Sequence, residues 1–397
     1  MPKNELSCLW QNRGLSREYR SATSLHSHTH FSRESLHFIP AFARKHRMLR
    51  WALDRKARQS RVPVDLSRAY WTPPLRPQMA FAVEQNQIET VLGVAALVAL
   101  TDHDTIEAPD QLRSSEEPRE IPFSLEWSVP YEDAIFHLGV HNLPASRAHA
   151  IVADLAAYTQ NPSGARLTDL LGMLDDDPEV LIVFNHPLWS LCRLEQQRCE
   201  LVRTRFLRTT IQFLHAFELN ATRSRRENNG VIELAGQWRR LLISGGDRHG
   251  CEPSGAVNLT RAESFCEFVH EVRVEQRSHV LFMPQYDEPL SLRTTATVLD
   301  VIREYPDYAP GCRRWDGRVF HPDQYTDKDQ PVSAYWRTPP RFIERIFSVM
   351  RLMENASVRR AVRRVCRAQC ELNLPYDLAH EPVYKVVAST APMQEGI

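Results

Sequence analysis

The chain has 397 residues, 43% hydrophobic and 25% charged, an ordinary globular composition long enough for one large barrel domain with additions or for two medium domains. Its 49 basic and 49 acidic residues give a formal net charge of zero, which excludes a protein that grips nucleic acid through overall charge and leaves open only a local basic face. No apolar run reaches membrane-spanning length, the start MPKNELSCLWQNRG lacks the apolar stretch of a signal peptide, and the eight cysteines form no CxxC pair, so a reduced, cytoplasmic protein with neither a zinc ribbon nor a thioredoxin motif is expected.

Short apolar runs that end in polar, metal-competent residues read as buried strands. The first, Thr23–His28, ends in LHSH. Phe38–Pro77 follows as a basic, proline-punctuated insertion whose cluster Arg44–Arg61 suits a lid or a partner surface. Val94–Thr101 runs into Asp102-His103-Asp104, and Ile121–Glu126 and Ile135–Val140 are the next two strands. Ser146–Tyr158 reads as a Ser-capped, alanine-rich helix. Val180–Phe184 precedes Asn185-His186-Pro187; then come a helix over Leu194–Phe213, a strand over His215–Leu219 and a helix over Arg226–Arg240. Leu241–Ser244 ends in GGDRH. Strands alternating with helices predict a mostly parallel α/β fold, in which such strand ends carry the chemistry.

Residues 261–397 read as a mostly helical extension: helices at Ala262–Arg273, Leu292–Glu304 and Arg341–Arg367, a strand at His279–Met283, and a long loop over Tyr305–Pro340. In Ser357–Arg367 three arginines, Arg359, Arg363 and Arg367, share a helical face. Such a face suits RNA or a nucleotide, although a solvated surface is the commoner reason for it.

The strongest local chemical signal is His26-Ser27-His28. Side chains two apart on a strand point to one face, so both imidazoles can reach one ion. Alone, that pattern is weak. Asp102, His103 and Asp104, then Glu126, His137 or His141, His186, and Asp247 with His249 supply metal-competent groups at five further strand ends. Satisfied core histidines would not choose the same end of every strand.

At these residues the sequence resembles the PHP (polymerase and histidinol phosphatase) superfamily. LHSHTHFS, LTDHDT, SLEWSVP with FHLGVHN, FNHP and GGDRHG follow the family's motif order over Thr23 to Gly250. The resemblance implies a distorted (β/α)7 barrel over 20–260, interrupted by the insertion 38–77, with two or three divalent ions (Mn, Zn or Fe) at the C-terminal strand ends. It implies a first ion on His26, His28, Glu126 and Asp247, and a second on Glu126, His137 and His186. A third would sit on His103 and His249. Many members read HxHTxxSDG, whose Asp ligates the third ion; here Arg33 occupies that position. Glu34 follows, at the spacing where other members put a histidine ligand, and is the expected substitute. His30 and His37 are fallbacks.

The implied activity is hydrolysis of a phosphate ester by a hydroxide bridging the first two ions, with Asp104 or His141 protonating the leaving group and Arg248 or Arg33 contacting phosphate. On a strand end, however, Arg248 should point away from its two neighbours, which favours a structural ion pair. The expected substrate is a small phosphorylated molecule or a short oligonucleotide, with no stable protein partner and no membrane. An amidohydrolase-type barrel also begins with HxH, but many bridge their metals through a modified lysine at a middle strand end. Lys3, Lys45, Lys56, Lys328 and Lys385 occupy no such position. A non-catalytic metal-binding module of the same fold, and a PHP-fold hydrolase acting on another bond, stay open.

Overall fold

The computed structural model describes residues 2–36, 69–117, 119–189, 196–308, 312–322, 329–335 and 341–370. Strand β1 (Lys3–Cys8) is followed by β2 (Ser21–Ser24), whose four residues are all buried, and by the two-residue β3 (Glu34–Ser35). The expected insertion lies outside the described residues up to 68, as does His37; its last part supplies β4 (Tyr70–Trp71) and the start of helix α1 (Pro77–Leu92). Pro77 sits where a missing N–H costs nothing, and Gly93 at φ 68° ends the helix in the left-handed region. Then come β5 (Ala95–Val98), α2 (Glu107–Arg113), β6 (Phe123–Tyr131) and β7 (Ala134–Leu143).

Helices α3 (Ala148–Gln160) and α4 (Gly164–Asp175) lead to β8 (Leu181–Phe184), α5 (Gln196–Thr210), β9 (Ala216–Asn220), α6 (Arg225–Trp238) and β10 (Leu241–Gly245). Strands β8, β9 and β10 are buried along their whole length, which explains their unbroken apolar runs. Next are β11 (Ala256–Thr260), α7 (Phe265–Arg273) and β12 (Arg277–Phe282). Two sequences of the form Ser-x-x-Glu start helices: Ser224 accepts from Glu227 N at 3.1 Å for α6, and Ser264 from Glu267 N at 3.2 Å for α7.

The remaining elements are α8 (Leu290–Ile302), β13 (Val319–Pro322), β14 (Asp329–Pro331), α9 (Arg341–Arg351) and α10 (Ala356–Cys370). The single helix expected over Arg341–Arg367 is therefore broken. Asn355 is extended, and its side-chain oxygen accepts from Ser357 N at 2.9 Å, starting α10 afresh. The expected loop Tyr305–Pro340 contains β13 and β14.

The strands form a five-stranded sheet ordered β1-β12-β11-β2-β5, a second five-stranded sheet ordered β10-β9-β8-β7-β6, and a four-stranded sheet ordered β14-β13-β4-β3. Thus β1 and β12, both outside 20–260, share a sheet with β2. The architecture is mixed α/β, and the described ladders do not close into one barrel. Strand β7 runs antiparallel to both neighbours, because β6 returns through a two-residue turn at Glu132 and Asp133, with Glu132 at φ 50°. At the rim, isolated bridges tie the two large sheets together, Ser27 to Arg248 and His103 to Glu126. These bridges bring the ends of β2 and β10 together, and those of β5 and β6. Trp127, Tyr158, Phe184, Phe206 and Phe217 fill the principal core, each worth about 1.5–3 kcal/mol of apolar burial.

Candidate metal centre

The segments leaving β2, β5, β8 and β10 meet β6 and β7 at one rim. Glu126 lies at its centre. Its Oε2 is 3.2 Å from His26 Nε2, 3.5 Å from His28 Nε2 and 3.4 Å from His103 Nε2. Its Oε1 is 3.4 Å from His137 Nδ1 and 3.1 Å from His186 Nε2. Asp247 Oδ1 stands 3.9 Å from His26 Nε2 and 3.7 Å from His28 Nε2. Glu34, on β3, reaches His103 Nε2 at 3.3 Å with one oxygen and His249 Nε2 at 3.4 Å with the other. Four overlapping sets result, each with ligand atoms within 4.8 Å of one another: His26, Glu126, His186; His26, His28, Asp247; His28, His103, Glu126; and His28, Glu34, His249.

Hydrogen bonds behind the rings decide which nitrogens face inward. His26 Nδ1 is 2.5 Å from Glu218 Oε1, His28 Nδ1 is 3.2 Å from Ser32 Oγ, and His249 Nδ1 is 3.0 Å from the Asp247 carbonyl. Ser32 donates its own proton to Glu34, so it accepts from His28, and the carboxylate and carbonyl can only accept. All three Nδ1 atoms therefore carry hydrogen, and all three Nε2 atoms face the carboxylates. The Nε2 atoms of His26 and His28 stand only 3.0 Å apart. Lone pairs brought this close repel unless a cation or a shared proton lies between them. Backbone strain collects here too: His186 (φ 27°), Asp247 (φ 48°) and Asp104 (φ 56°) are non-glycine residues in the left-handed region.

Burial opposes charge on every group, and the opposing partners decide the outcome. Burial would raise Glu34, Glu126 and Asp247, yet facing imidazoles hold all three well below the usual carboxylate range. Burial would lower His103, but Glu34 and then Glu126 raise it to about 10; Glu34 likewise raises His249 to about 9. Burial wins at His28 and His137, which fall to about 4. A divalent ion requires neutral imidazoles, so it would displace the protons that the facing carboxylates hold on His26, His103 and His249.

The structure thus brings His26, His28, Glu34, His103, Glu126, His137, His186, Asp247 and His249 to one place. The three expected catalytic groups are placed differently. Arg248 is buried, with Nε 2.9 Å from Glu84 and Nη2 2.6 Å from Gln87, both on α1. As the strand alternation requires, it turns away from Asp247 and His249 and is unable to meet a phosphate. His141 pairs with Leu181 at the start of β8, whereas His137 bonds to Asn185 beyond its end. The Cα of His141 therefore lies deeper than that of His137, but its ring stands close to Asn185, since a Cβ at Gly139 would be 2.7 Å from His141 Nε2 and 2.9 Å from Asn185 Oδ1; burial, with His26 nearby, pushes it down to about 3. Asp104 turns its carboxylate to β6 and accepts from Ser128 N at 2.7 Å. Arg33 lies over Tyr70 and 3.6 Å from Asp329, away from the cluster, and His30 stacks on Phe31.

The sequence reading missed several supporting residues. Glu218 holds His26 and accepts from His186 N at 2.7 Å. Asn185 donates to Glu126 Oε1 at 2.9 Å, in room left by Gly139, where a Cβ would meet the Asn185 side chain. Asp102, which the sequence offered as a metal-competent group, instead accepts from Thr29 Oγ1 at 2.6 Å and fixes the loop after His28. The signal for Glu218 lay in AFELN: one carboxylate in an apolar strand, sharing its face with Asn220. Two tryptophans flank the rim, Trp71 against His249 (ring centroids 5.5 Å apart) and Trp189 against His186 (5.0 Å).

No family model matches the chain, and no curated protein matches it in sequence. Among solved structures it is similar to PsfC of Pseudomonas syringae, with 15% identity over 52% of this chain and 84% of that one and a TM-score of 0.35. It is also similar to a protein of proposed metal-dependent phosphoesterase activity from Bifidobacterium adolescentis, with 16% identity, 50% and 91% coverage and a TM-score of 0.29. An amidohydrolase from Chromobacterium violaceum, with bound sulfate and no metal, matches at 18% identity, 45% and 83% coverage and a TM-score of 0.27. These likenesses are distant, and the centre is read from its own geometry.

Proposed function

We propose that the chain is a PHP-type metal-dependent hydrolase that cleaves a phosphate ester. The observation that carries this reading is the convergence of five imidazoles on the two oxygens of Glu126, with the Nδ1 hydrogens of His26 and His28 turned outward. In this reading His26, His28, Glu126 and Asp247 hold one divalent ion, Glu126, His137 and His186 a second, and Glu34, His103 and His249 a third; Mn, Zn and Fe all suit these donors. Such ions acidify water and offset charge building on phosphoryl oxygens.

The chain's own residues give that chemistry its geometry. Glu218 fixes the tautomer of His26, and Ser32 does the same for His28 while it orients Glu34. Asn220 and Arg223 donate to Asp247 Oδ2, at 3.1 and 3.3 Å, which leaves Oδ1 toward His26 and His28. We read β2, β5, β6, β7, β8, β9 and β10 as the distorted (β/α)7 barrel, its ladders broken between β5 and β6 and between β2 and β10, where single bridges span. The substrate in this reading is a small phosphorylated molecule or a short oligonucleotide, and the setting cytoplasmic. Among the described residues no helix is long and apolar enough to cross a membrane.

The test is to purify the full chain, measure its metals, and assay a phosphomonoester, a nucleoside bisphosphate and short RNA with added manganese. Hydrolysis that disappears in a His26→Ala/His28→Ala variant supports the reading. Bound metal without hydrolysis of any phosphate ester would leave a hydrolase for another bond, or a non-catalytic module.

A further inference from the structure

Two arginines that the sequence offered for phosphate are engaged elsewhere, Arg248 by Glu84 and Arg33 by Asp329. A third stands at the rim. Arg223 lies just beyond β9, and its guanidinium packs on the ring of Trp189, 4.4 Å from the centroid. The same ring touches His186 at 5.0 Å and His137 at 6.0 Å, so the cation is held beside the set formed by Glu126, His137 and His186. Its backbone is fixed as well, since the Arg223 carbonyl accepts from Arg293 Nη2 at 3.0 Å.

The guanidinium has five N–H donors in a planar fork. Nη2 reaches Asp247 Oδ2 at 3.3 Å, an oxygen that also accepts from Asn220. Nε is buried with no hydrogen-bond partner, and Glu227 Oε1, 3.9 Å away, is buried without one too. Asp247 thus takes one of the five donors, and Glu227 holds the charge at ion-pair distance. Stacking on Trp189 removes rotamer freedom that a long side chain would otherwise lose on binding. A fixed, partly desolvated fork beside clustered carboxylates and imidazoles suits bidentate recognition of a tetrahedral oxyanion.

From this geometry we infer that Arg223, braced by Trp189, forms an anion subsite that grips a non-bridging oxygen of the phosphoryl group bound at the rim. The inference rests on the phosphate-ester reading and adds to it the residue that selects a phosphoryl anion over a neutral substrate. Arg223 contributes charge and a fork of donors; it transfers no proton and forms no covalent bond.

The probe is inorganic phosphate. Its affinity is measured by calorimetry on zinc- or manganese-loaded wild type, Arg223→Lys and Arg223→Ala, with metal content and circular dichroism recorded for each. With metal supplied at saturation so that each variant is loaded, the expected result is phosphate binding weakened about ten- to hundredfold in Arg223→Ala, and an intermediate loss in Arg223→Lys, which keeps the charge without the fork. Equal phosphate affinity in wild type and a folded variant would overturn the inference and leave the phosphoesterase reading standing. Loss of metal in parallel with loss of phosphate would also overturn it, by reducing Arg223 to a support for Asp247. If Arg223→Ala does not fold, Arg223→Lys carries the comparison alone. Metal-loaded wild type that binds no phosphate and cleaves no phosphate ester would end the underlying reading, and the inference with it.

Discussion

Oε1 of Glu218 lies 2.5 Å from Nδ1 of His26, on the far side of the ring from Glu126, which is 3.2 Å from Nε2. One buried carboxylate thus sets the tautomer of the imidazole that faces the other. The second oxygen of Glu218 accepts from His186 N, so two strand-end histidines share one anchor. Glu218→Ala is expected to weaken metal affinity about 10- to 100-fold, the usual cost of losing a partner behind a ligand. Competition with a chromogenic chelator measures it. Undiminished affinity in a folded Glu218→Ala protein would mean that His26 needs no such anchor.

Gly245 is required by the same residue. A Cβ at this position would overlap the Glu218 carboxylate, which sits in a fully buried strand end with nowhere to retreat. Gly245→Ala should therefore reproduce the metal-affinity loss of Glu218→Ala although it touches no proposed ligand. Metal titration of the two variants side by side makes the comparison, and a Gly245→Ala protein with wild-type affinity would contradict the packing.

Arg248 and Glu84 are each 1% exposed and form an ion pair behind the rim. Removing one partner leaves an uncompensated buried charge, so Arg248→Ala should cost about 3–5 kcal/mol of stability. The double variant Arg248→Met/Glu84→Gln should recover most of that. Urea denaturation reads both. A catalytic Arg248 would instead leave stability near wild type and abolish turnover.

The third set carries a pH signature. Against burial, Glu34 raises His103 to about 10 and His249 to about 9. Because these folded values exceed the ordinary histidine value near 6.5, the two rings stabilise the metal-free protein fully below about pH 6.5, and that stability is lost as pH rises through about 9 to 10. A metal ligand must be deprotonated, so filling this set at pH 7.5 should release about two protons, and affinity should climb with pH. Calorimetry of a chelator-stripped sample in buffers of different ionisation enthalpy counts the protons. Glu34→Gln should shrink the release, because the two histidines then titrate nearer neutrality.

Most of the proposed ligand set was legible from sequence because most of these ligands sit where an apolar run ends, and Glu34 was reachable through the family resemblance, which implies a ligand at its position. The hidden parts share a physical cause: each depends on a partner distant in the chain. Arg248 finds Glu84 on α1, 164 positions away, and nothing local names that partner, although strand alternation gave its direction. His141 shares a strand face with His137, but β7 runs antiparallel, so its later residues descend from the rim. The small sheet holding Glu34 and Trp71 pairs β3 with β4 across 37–68 and β4 with β13, segments that no periodicity links. Glu218 was overlooked because its strand ends in Asn rather than in an expected ligand.

Anomalous diffraction from crystals of the full chain grown with zinc or manganese tests the convergence on Glu126 most directly. Peaks should stand between Glu126, Asp247 and the Nε2 atoms of His26 and His28, about 2.1 Å from each nitrogen for zinc, with a further peak at His137 and His186. A difference map that is flat at the rim under saturating metal, or ions bound only at surface residues elsewhere, would contradict it.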